Sequence, residues 1–288
     1  MLIINSITAL TSFCLEYENT MSMQFQNYII GLFFASLIAY LSYRLKFLTW
    51  SGAIATFVLA QLIFDFGGIK WSSPILTFFI SSSILTKLNN QKNIEVRNYF
   101  EKNGARDYLQ VIANGGIGGI LVLVNAFYPH ELFYLIYIAS LSSVCADTWA
   151  TEFGTWRKTA TYNAISLKRV AQGTSGGISV IGLIGALIGS FCIALSATGW
   201  VEISYIQFVI LILLTGFLGS YFDSILGATI QVQYLCPVCN KVTERKIHCG
   251  KHTDHYRGFG WINNDVVNFS SGIMGAILIV ILKSLIKF

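Results

Sequence analysis

"TSGGISVIGLIGALIGSFCIALSAT", residues 174–198, runs for 25 residues without a charge. A helix needs about 20 mostly apolar residues to cross the hydrocarbon core of a bilayer, so this stretch predicts a membrane span. A second stretch, 206–228, carries one acid, Asp223, in an otherwise uncharged run. Composition agrees along the whole chain. Of 288 residues 54% are hydrophobic and 11% charged, whereas soluble domains carry about 25% charged residues. Mean hydropathy is +0.62. These values exclude an ordinary soluble domain and predict an all-α, polytopic membrane helix bundle.

Eight transmembrane helices are expected, at roughly 27–43, 48–66, 71–86, 108–128, 132–149, 174–198, 206–228 and 264–283. They make 27–288 an integral membrane domain with a Cys/His-rich loop at 236–262. Residues 1–26 form an N-terminal segment of open status: "LIINSITALTSFCL" is apolar but short and lacks the basic start of a signal peptide, and Met21 and Met23 are alternative starts. Sixteen of the 19 basic residues fall on alternate loops, with Lys70, Lys283 and Lys287 opposite. The positive-inside rule then puts those loops in the cytosol. Polar motifs cluster on the same side, so chemistry is expected at the cytosolic face.

Five motifs stand out there. "NGGIGG" (114–119) opens the fourth span with Asn114, an amide that hydrocarbon tolerates only with a partner. "DTWATEFG" (147–154) closes the fifth with Asp147 and Glu152. Five residues apart on a helix, these acids point about 140° away from each other. They meet one ligand only if the helix frays near Gly154; otherwise Glu152 serves another partner. "SLKRVAQGTSGG" (166–177) sets Lys168 and Arg169 before Gly173, Thr174, Ser175 and Gly176. Free N–H groups at a helix start favour an anion there, though a Lys-Arg pair is also a plain topology signal. "GSYFDSILGATIQ" (219–231) places Ser220, Asp223, Ser224 and Gly227 on one helix face. "GWINNDVVNFSSG" (260–272) does the same for Asn264, Asn268 and Ser271, with Asp265 alongside.

Asp147, Asp223 and Asp265 thus come from three helices at similar depth. Carboxylates with amides and hydroxyls suit Mg²⁺, which completes its shell with water and phosphates. Lys168, Arg169 and the glycine turn suit the phosphates. No Ser, Cys or His triad is apparent. "CPVCNKVTERKIHCGKHTDH" (236–255) adds a C-x-x-C knuckle and a Cys/His cluster. Cys236, Cys239 and Cys249 with His252 are the expected ligands of a structural Zn²⁺; a reduced, metal-free loop is the alternative.

From about residue 30 the chain resembles the family of transmembrane protein 19 and the phytyl-phosphate kinases of vitamin E biosynthesis. "QVIANGG", "ADTWATEFG", "GTSGG", "GSYFDSILGA" and "NNDVVN" carry the resemblance in order and spacing. More distantly, "DTWATEFG", "SLKRVAQGTSGG", "GSYFDS" and "GFGWINND" are similar to segments of CTP-dependent lipid kinases and CDP-diacylglycerol synthase, with Ser220 where the synthase has Asp and a single Asp265 after two asparagines. The resemblance implies a Mg²⁺-dependent kinase that uses a nucleotide, CTP first, to convert an isoprenoid monophosphate such as phytyl phosphate to the diphosphate. Asp147, Glu152, Asp223, Asp265 and Lys168 would be its catalytic residues. Asn114, Lys168, Arg169, Gly173, Thr174, Ser175, Gly176, Asn264 and Asn268 would bind nucleotide and phosphate. A lipid cytidylyltransferase or another lipid kinase would need nearly the same site. A transporter of a lipid or phosphorylated metabolite is the reading of another class. The expected partners are nucleotide, isoprenoid phosphate and bilayer, with no nucleic acid. In a bacterial host the membrane would be the plasma membrane.

Overall fold

The computed structural model describes residues 26–90, 100–102 and 104–285. The N-terminal segment, apart from its last residue, lies outside the described residues, as do Lys92 and Arg97. Among the described residues seven α-helices carry the fold: α1 (26–44), α2 (Trp50–Asn90), α3 (Tyr108–Phe127), α4 (Glu131–Trp156), α5 (Val180–Ala197), α6 (Tyr205–Thr229) and α7 (Asn264–Leu285). Six of them, α2 to α7, are long and apolar enough to cross a membrane. The helical membrane architecture expected from composition is the one observed.

α2 occupies two of the expected spans. It is broken at Gly68, where φ is +59° and ψ is −155°. The break is a reversal. A Cβ added to Gly115 of α3 would lie 2.6 Å from Leu59 and 3.2 Å from Ile75. In a straight helix those two residues stand roughly 24 Å apart, so the arms of α2 must fold back side by side. The tip is held by aromatics. Trp71 stacks on Tyr137 at 4.9 Å between ring centroids, and the Tyr137 and Tyr134 hydroxyls donate to the Trp71 and Lys70 carbonyls at 2.7 and 3.1 Å. The reversal brings both ends of α2 to the end of the bundle where α4 and α6 finish and α3 and α7 begin.

α4 is the central helix. It is buried almost without interruption from Tyr134 to Ala146 and packs against α2, α3, α5, α6 and α7. Hydrocarbon supplies no hydrophobic drive between helices, so close approach and buried hydrogen bonds must hold them. Both are present. The Ser142 hydroxyl donates to the Ile212 carbonyl at 3.1 Å, and that of Ser143 to the Ser271 carbonyl at 2.8 Å. Ser271 in turn donates to the Gly219 carbonyl at 3.1 Å. Gly185 and Gly189 of α5 let its backbone lie on Trp149, Phe153 and the Cys145 carbonyl.

Two boundaries differ from expectation. α4 continues to Trp156 rather than stopping near 149, so it does not fray at Gly154. α5 starts at Val180, capped by the Ser179 hydroxyl, rather than at 174. Gly173 and Gly176 have φ of +85° and +76°, which a right-handed helix cannot contain. The loops between helices also fold as small antiparallel sheets. β1 (Thr161–Asn163) lies between β2 (Arg169–Val170) and β3 (Gly177–Ile178). β4 (Gln233–Leu235) lies between β5 (Val242–Thr243) and β8 (Asp254–Arg257), and β6 (Ile247–His248) pairs with β7 (Lys251–His252).

Gly219 tests this packing. A Cβ there would come within bond-length range of the Ser143 hydroxyl, whereas one on Gly199 meets nothing within 4 Å. Gly219→Val is expected to destabilise the bundle by about 1–3 kcal/mol or more, read as a lower unfolding midpoint in detergent, with Gly199→Ala unchanged.

Candidate functional site

The tie between Ser143, Gly219 and Ser271 fixes what lies one turn further along. Four residues on in α4 and α6 come Asp147 and Asp223; three residues back in α7 comes Asn268. Asn114 reaches the same level from α3, because Ile117 and Ser140 both pack on Gly272. These four line one cavity of about 210 Å³, together with Asn264, Glu152 and the backbone of Gly173, Thr174, Ser175 and Gly176. The Asp147 and Asp223 side chains both line this cavity, close enough to repel each other. Carboxylates that close repel unless a proton or a cation lies between them. Asn114 Oδ1, Asp223 Oδ2 and Asn268 Oδ1 are buried and have no hydrogen-bond partner within the protein. Buried polar atoms are normally satisfied, so three unsatisfied oxygens around one cavity mark a place for a ligand with positive charge or donors.

Glu152 lines the same cavity but is held by the end of α2. It accepts hydrogen bonds from Thr86 Oγ1 at 2.7 Å and Asn89 Nδ2 at 2.8 Å. Asn89 also donates to Thr155 Oγ1 at 2.8 Å. Because α4 stays helical, Glu152 is rotated from Asp147 and buckles the end of α2 to α4. Asp265 is buried but does not line the cavity. It pairs with Lys102, whose ammonium also holds Asp107, the N-cap of α3, at 2.8 Å. Its Oδ1 is also unpartnered.

Lys168 and Arg169 are not brought to the cavity. They stand exposed on the hairpin of β1 and β2, where Asn163 caps the turn by accepting from the Ile165 and Ser166 backbone at 3.1 and 2.9 Å. Among the described residues, the cations that line the cavity are Lys102 and Arg106. The glycine turn reaches it as a packed turn rather than a helix start: a Cβ on Gly176 would lie 2.2 Å from the Ala228 nitrogen, so its backbone rests on the end of α6. Arg257 secures that end by donating to the Ala228 and Gly227 carbonyls at 2.7 and 3.2 Å.

A residue that sequence reading missed is Glu244. It comes from the loop after β5, is 8% exposed, and lines the cavity. It accepts from Ser175 Oγ at 2.7 Å, Gln231 Nε2 at 2.9 Å and the Glu101 backbone at 3.2 Å. Burial raises its pKa above the ordinary carboxylate value, and the donors from Ser175, Glu101 and Gln231 offset this in part. Glu244 sits in a charged loop and looks solvated in sequence; only the fold turns it inward. Lys102 and Arg106 were visible solely as topology signals.

A second, apolar cavity of about 60 Å³ lies between α1, the arms of α2, and α3. Leu59, Ile75, Phe78 and Phe79 line it. Arg106, Gln110 and Asn114 border both cavities.

In the loop between α6 and α7, Cys236, Cys239, Cys249 and His248 place their ligand atoms within 4.8 Å of one another. The fourth member is His248, not the expected His252. β6 and β7 form a tight hairpin that points His248 at the cysteines and leaves His252 exposed on the next strand.

The fold and site define a polytopic helical integral membrane protein with an acid- and amide-lined cavity at one end of its bundle. The family model described as "Integral membrane protein DUF92" matches residues 33–276, and the chain belongs to that family. It is 31% identical over 274 residues to "Protein PGR" of Arabidopsis thaliana, covering 87% of this chain and 94% of that one. It is 24% identical over 245 residues to "Protein VTE6, chloroplastic" of the same plant, covering 83% of this chain and 66% of that one. An uncharacterized membrane protein of Methanocaldococcus jannaschii is 25% identical over 227 residues, with 79% and 82% covered. No solved structure matches. The membership agrees with the motif resemblance to the transmembrane protein 19 and phytyl-phosphate kinase family.

Glu152→Ala is expected to cost about 1–3 kcal/mol by leaving the buried Thr86 hydroxyl without its acceptor and removing one of the acceptors of Asn89, seen as a lower unfolding midpoint. Glu152→Gln, which keeps an acceptor, is expected to recover most of it.

Proposed function

We propose that the protein is a Mg²⁺-dependent lipid-phosphate kinase. It transfers the γ-phosphoryl group of a nucleotide, CTP first, to an isoprenoid monophosphate and releases the nucleoside diphosphate. The acceptor's phosphate oxygen bonds to the γ-phosphorus as the bond to the β-phosphate oxygen breaks. The observation that carries the reading is the junction of the two cavities. One is polar, with paired acids and unsatisfied amide oxygens. The other is apolar and opens between helices. They meet at Arg106, Gln110 and Asn114. An amphiphile with a phosphate head fits that junction: its head beside Arg106 and the first carbons of its chain in the apolar cavity.

The donor set fits Mg²⁺. Asp147 and Asp223 supply two carboxylates, and Asn114 and Asn268 supply buried amide oxygens with no other partner. When bound, the ion would neutralise the phosphates, the main demand of phosphoryl transfer. Glu244 holds Ser175, and with it the glycine turn, against the cavity. Lys102 and Arg106 take the phosphate-binding role that the sequence assigned to Lys168 and Arg169. The distribution of basic residues supports a cytosolic cavity, and a plasma-membrane site in a bacterial host.

Purified protein with Mg²⁺, γ-labelled CTP or ATP, and phytyl or farnesyl phosphate should yield labelled lipid diphosphate. Asp147→Asn should lower turnover by at least ~100-fold with expression and helicity intact; near-normal turnover would sink the role given to Asp147. Pyrophosphate released from CTP would point instead to cytidylyl transfer. Failure of both reactions and of nucleotide binding would favour the transporter reading.

Arg106→Met should raise the KM for the lipid phosphate about tenfold or more with the nucleotide KM little changed. Lys168→Met should alter neither.

A further inference from the structure

The loop between α6 and α7 is a small β-structure built on two tight turns. In the first, Cys236 N donates to the Lys241 carbonyl at 3.0 Å and Asn240 N to the Cys236 carbonyl at 2.9 Å, with Asn240 at φ +52°. In the second, Cys249 and Gly250 both have positive φ, +51° and +75°. Each turn points its sulfur and nitrogen ligands to one centre. His248 Nδ1 lies 3.5 Å from Cys239 Sγ and 3.3 Å from Cys249 Sγ, and the four ligand atoms fall within 4.8 Å of one another. Zinc with ~2.3 Å bonds to sulfur sets tetrahedral ligands roughly 3.8 Å apart, so the group is already near that geometry. A disulfide is not formed: Cys236, Cys239 and Cys249 are all free thiols. Three cysteines converging on one histidine from two separate turns are hard to explain by packing, since the module has almost no apolar core.

We propose that Cys236, Cys239, His248 and Cys249 bind one structural Zn²⁺, and that this ion holds Glu244 in the membrane cavity. The chain between the two ligand pairs is short: Glu244 lies five residues after Cys239 and four before His248. Those residues close a loop across the ion. β5 runs back along β4 from the first turn, pairing Leu235 with Val242 and Tyr234 with Thr243, and delivers Glu244 at its end. Arg245 then donates to the Phe100 carbonyl at 2.8 Å, and Thr253 Oγ1 to the Arg245 carbonyl at 2.8 Å. A two-residue strand and a few hydrogen bonds stabilise a loop weakly. A metal closing it supplies the missing rigidity, as in other small metal-built modules. Four protein ligands leave no open position, so the ion's role is structural. Arg245, Lys246 and Lys251, close to the ligands in sequence, offset the net negative charge of three thiolates on one Zn²⁺.

The test needs no assay of turnover and is independent of the kinase reading. Full-length protein, purified in detergent under reducing conditions, is measured for zinc by elemental analysis and for local order by hydrogen exchange. One zinc per chain is expected. Cys239→Ser combined with Cys249→Ser should remove it, and His252→Ala should leave it in place. Loss of zinc should speed amide exchange at 241–246 by about tenfold or more, while the helices stay protected. Asp147→Asn should alter neither readout, which separates this site from the acid cluster. Wild-type protein without stoichiometric zinc would overturn the metal site. Retention of zinc by His248→Ala together with its loss in His252→Ala would overturn the ligand set. Unchanged exchange at 241–246 after zinc loss would overturn the positioning of Glu244.

Discussion

The structure depends on holding two carboxylates side by side at the end of a tightly packed bundle. Asp147 and Asp223 both reach the cavity because α4 and α6 approach closely one turn away, where Gly219 leaves room for the Ser143 hydroxyl. Bringing two acids together in a poorly solvated place is unfavourable by itself. The helices bear it because small residues and serine hydroxyls satisfy the interior of α4. A ligand that neutralises the pair recovers the cost.

The site is assembled from long-range pieces. α3 and α7 bring amides, α4 and α6 bring acids, and three loops bring the rest. The glycine turn rests on the end of α6, Glu244 hangs from a small sheet, and Lys102 clasps Asp107 to Asp265. Each loop is pinned at the cavity by a charged or backbone hydrogen bond rather than by apolar burial.

Of the groups the sequence singled out, the structure brings Asp147, Asp223, Asn114 and Asn268 to one cavity and leaves Lys168 and Arg169 outside it. Lys168 and Arg169 sit in a conspicuous motif, and a helix start at residue 174 would have aimed that motif at the cavity. Positive φ at Gly173 and Gly176 turns the chain into β3 instead and leaves the two cations on the outer hairpin. Glu152 shows the opposite case. Helical spacing alone said that it and Asp147 could not share a ligand on an unbroken helix, and the unbroken α4 sends it to Thr86 and Asn89. In the cysteine loop the ligand types were legible. The choice between His248 and His252 was not, because strand alternation decides it.

What the sequence determined by itself is the solvent of this protein and the acids and amides set among its apolar runs. Long uncharged runs can be stable only across a bilayer, and acids or amides set among them need a reason to be there. What tertiary structure decided is which of those groups meet. The reversal at Gly68, the depth of each helix and the inward turn of Glu244 follow from contacts between residues far apart in the chain. No local pattern encodes such contacts, because the groups that satisfy a buried carboxylate are supplied by other helices.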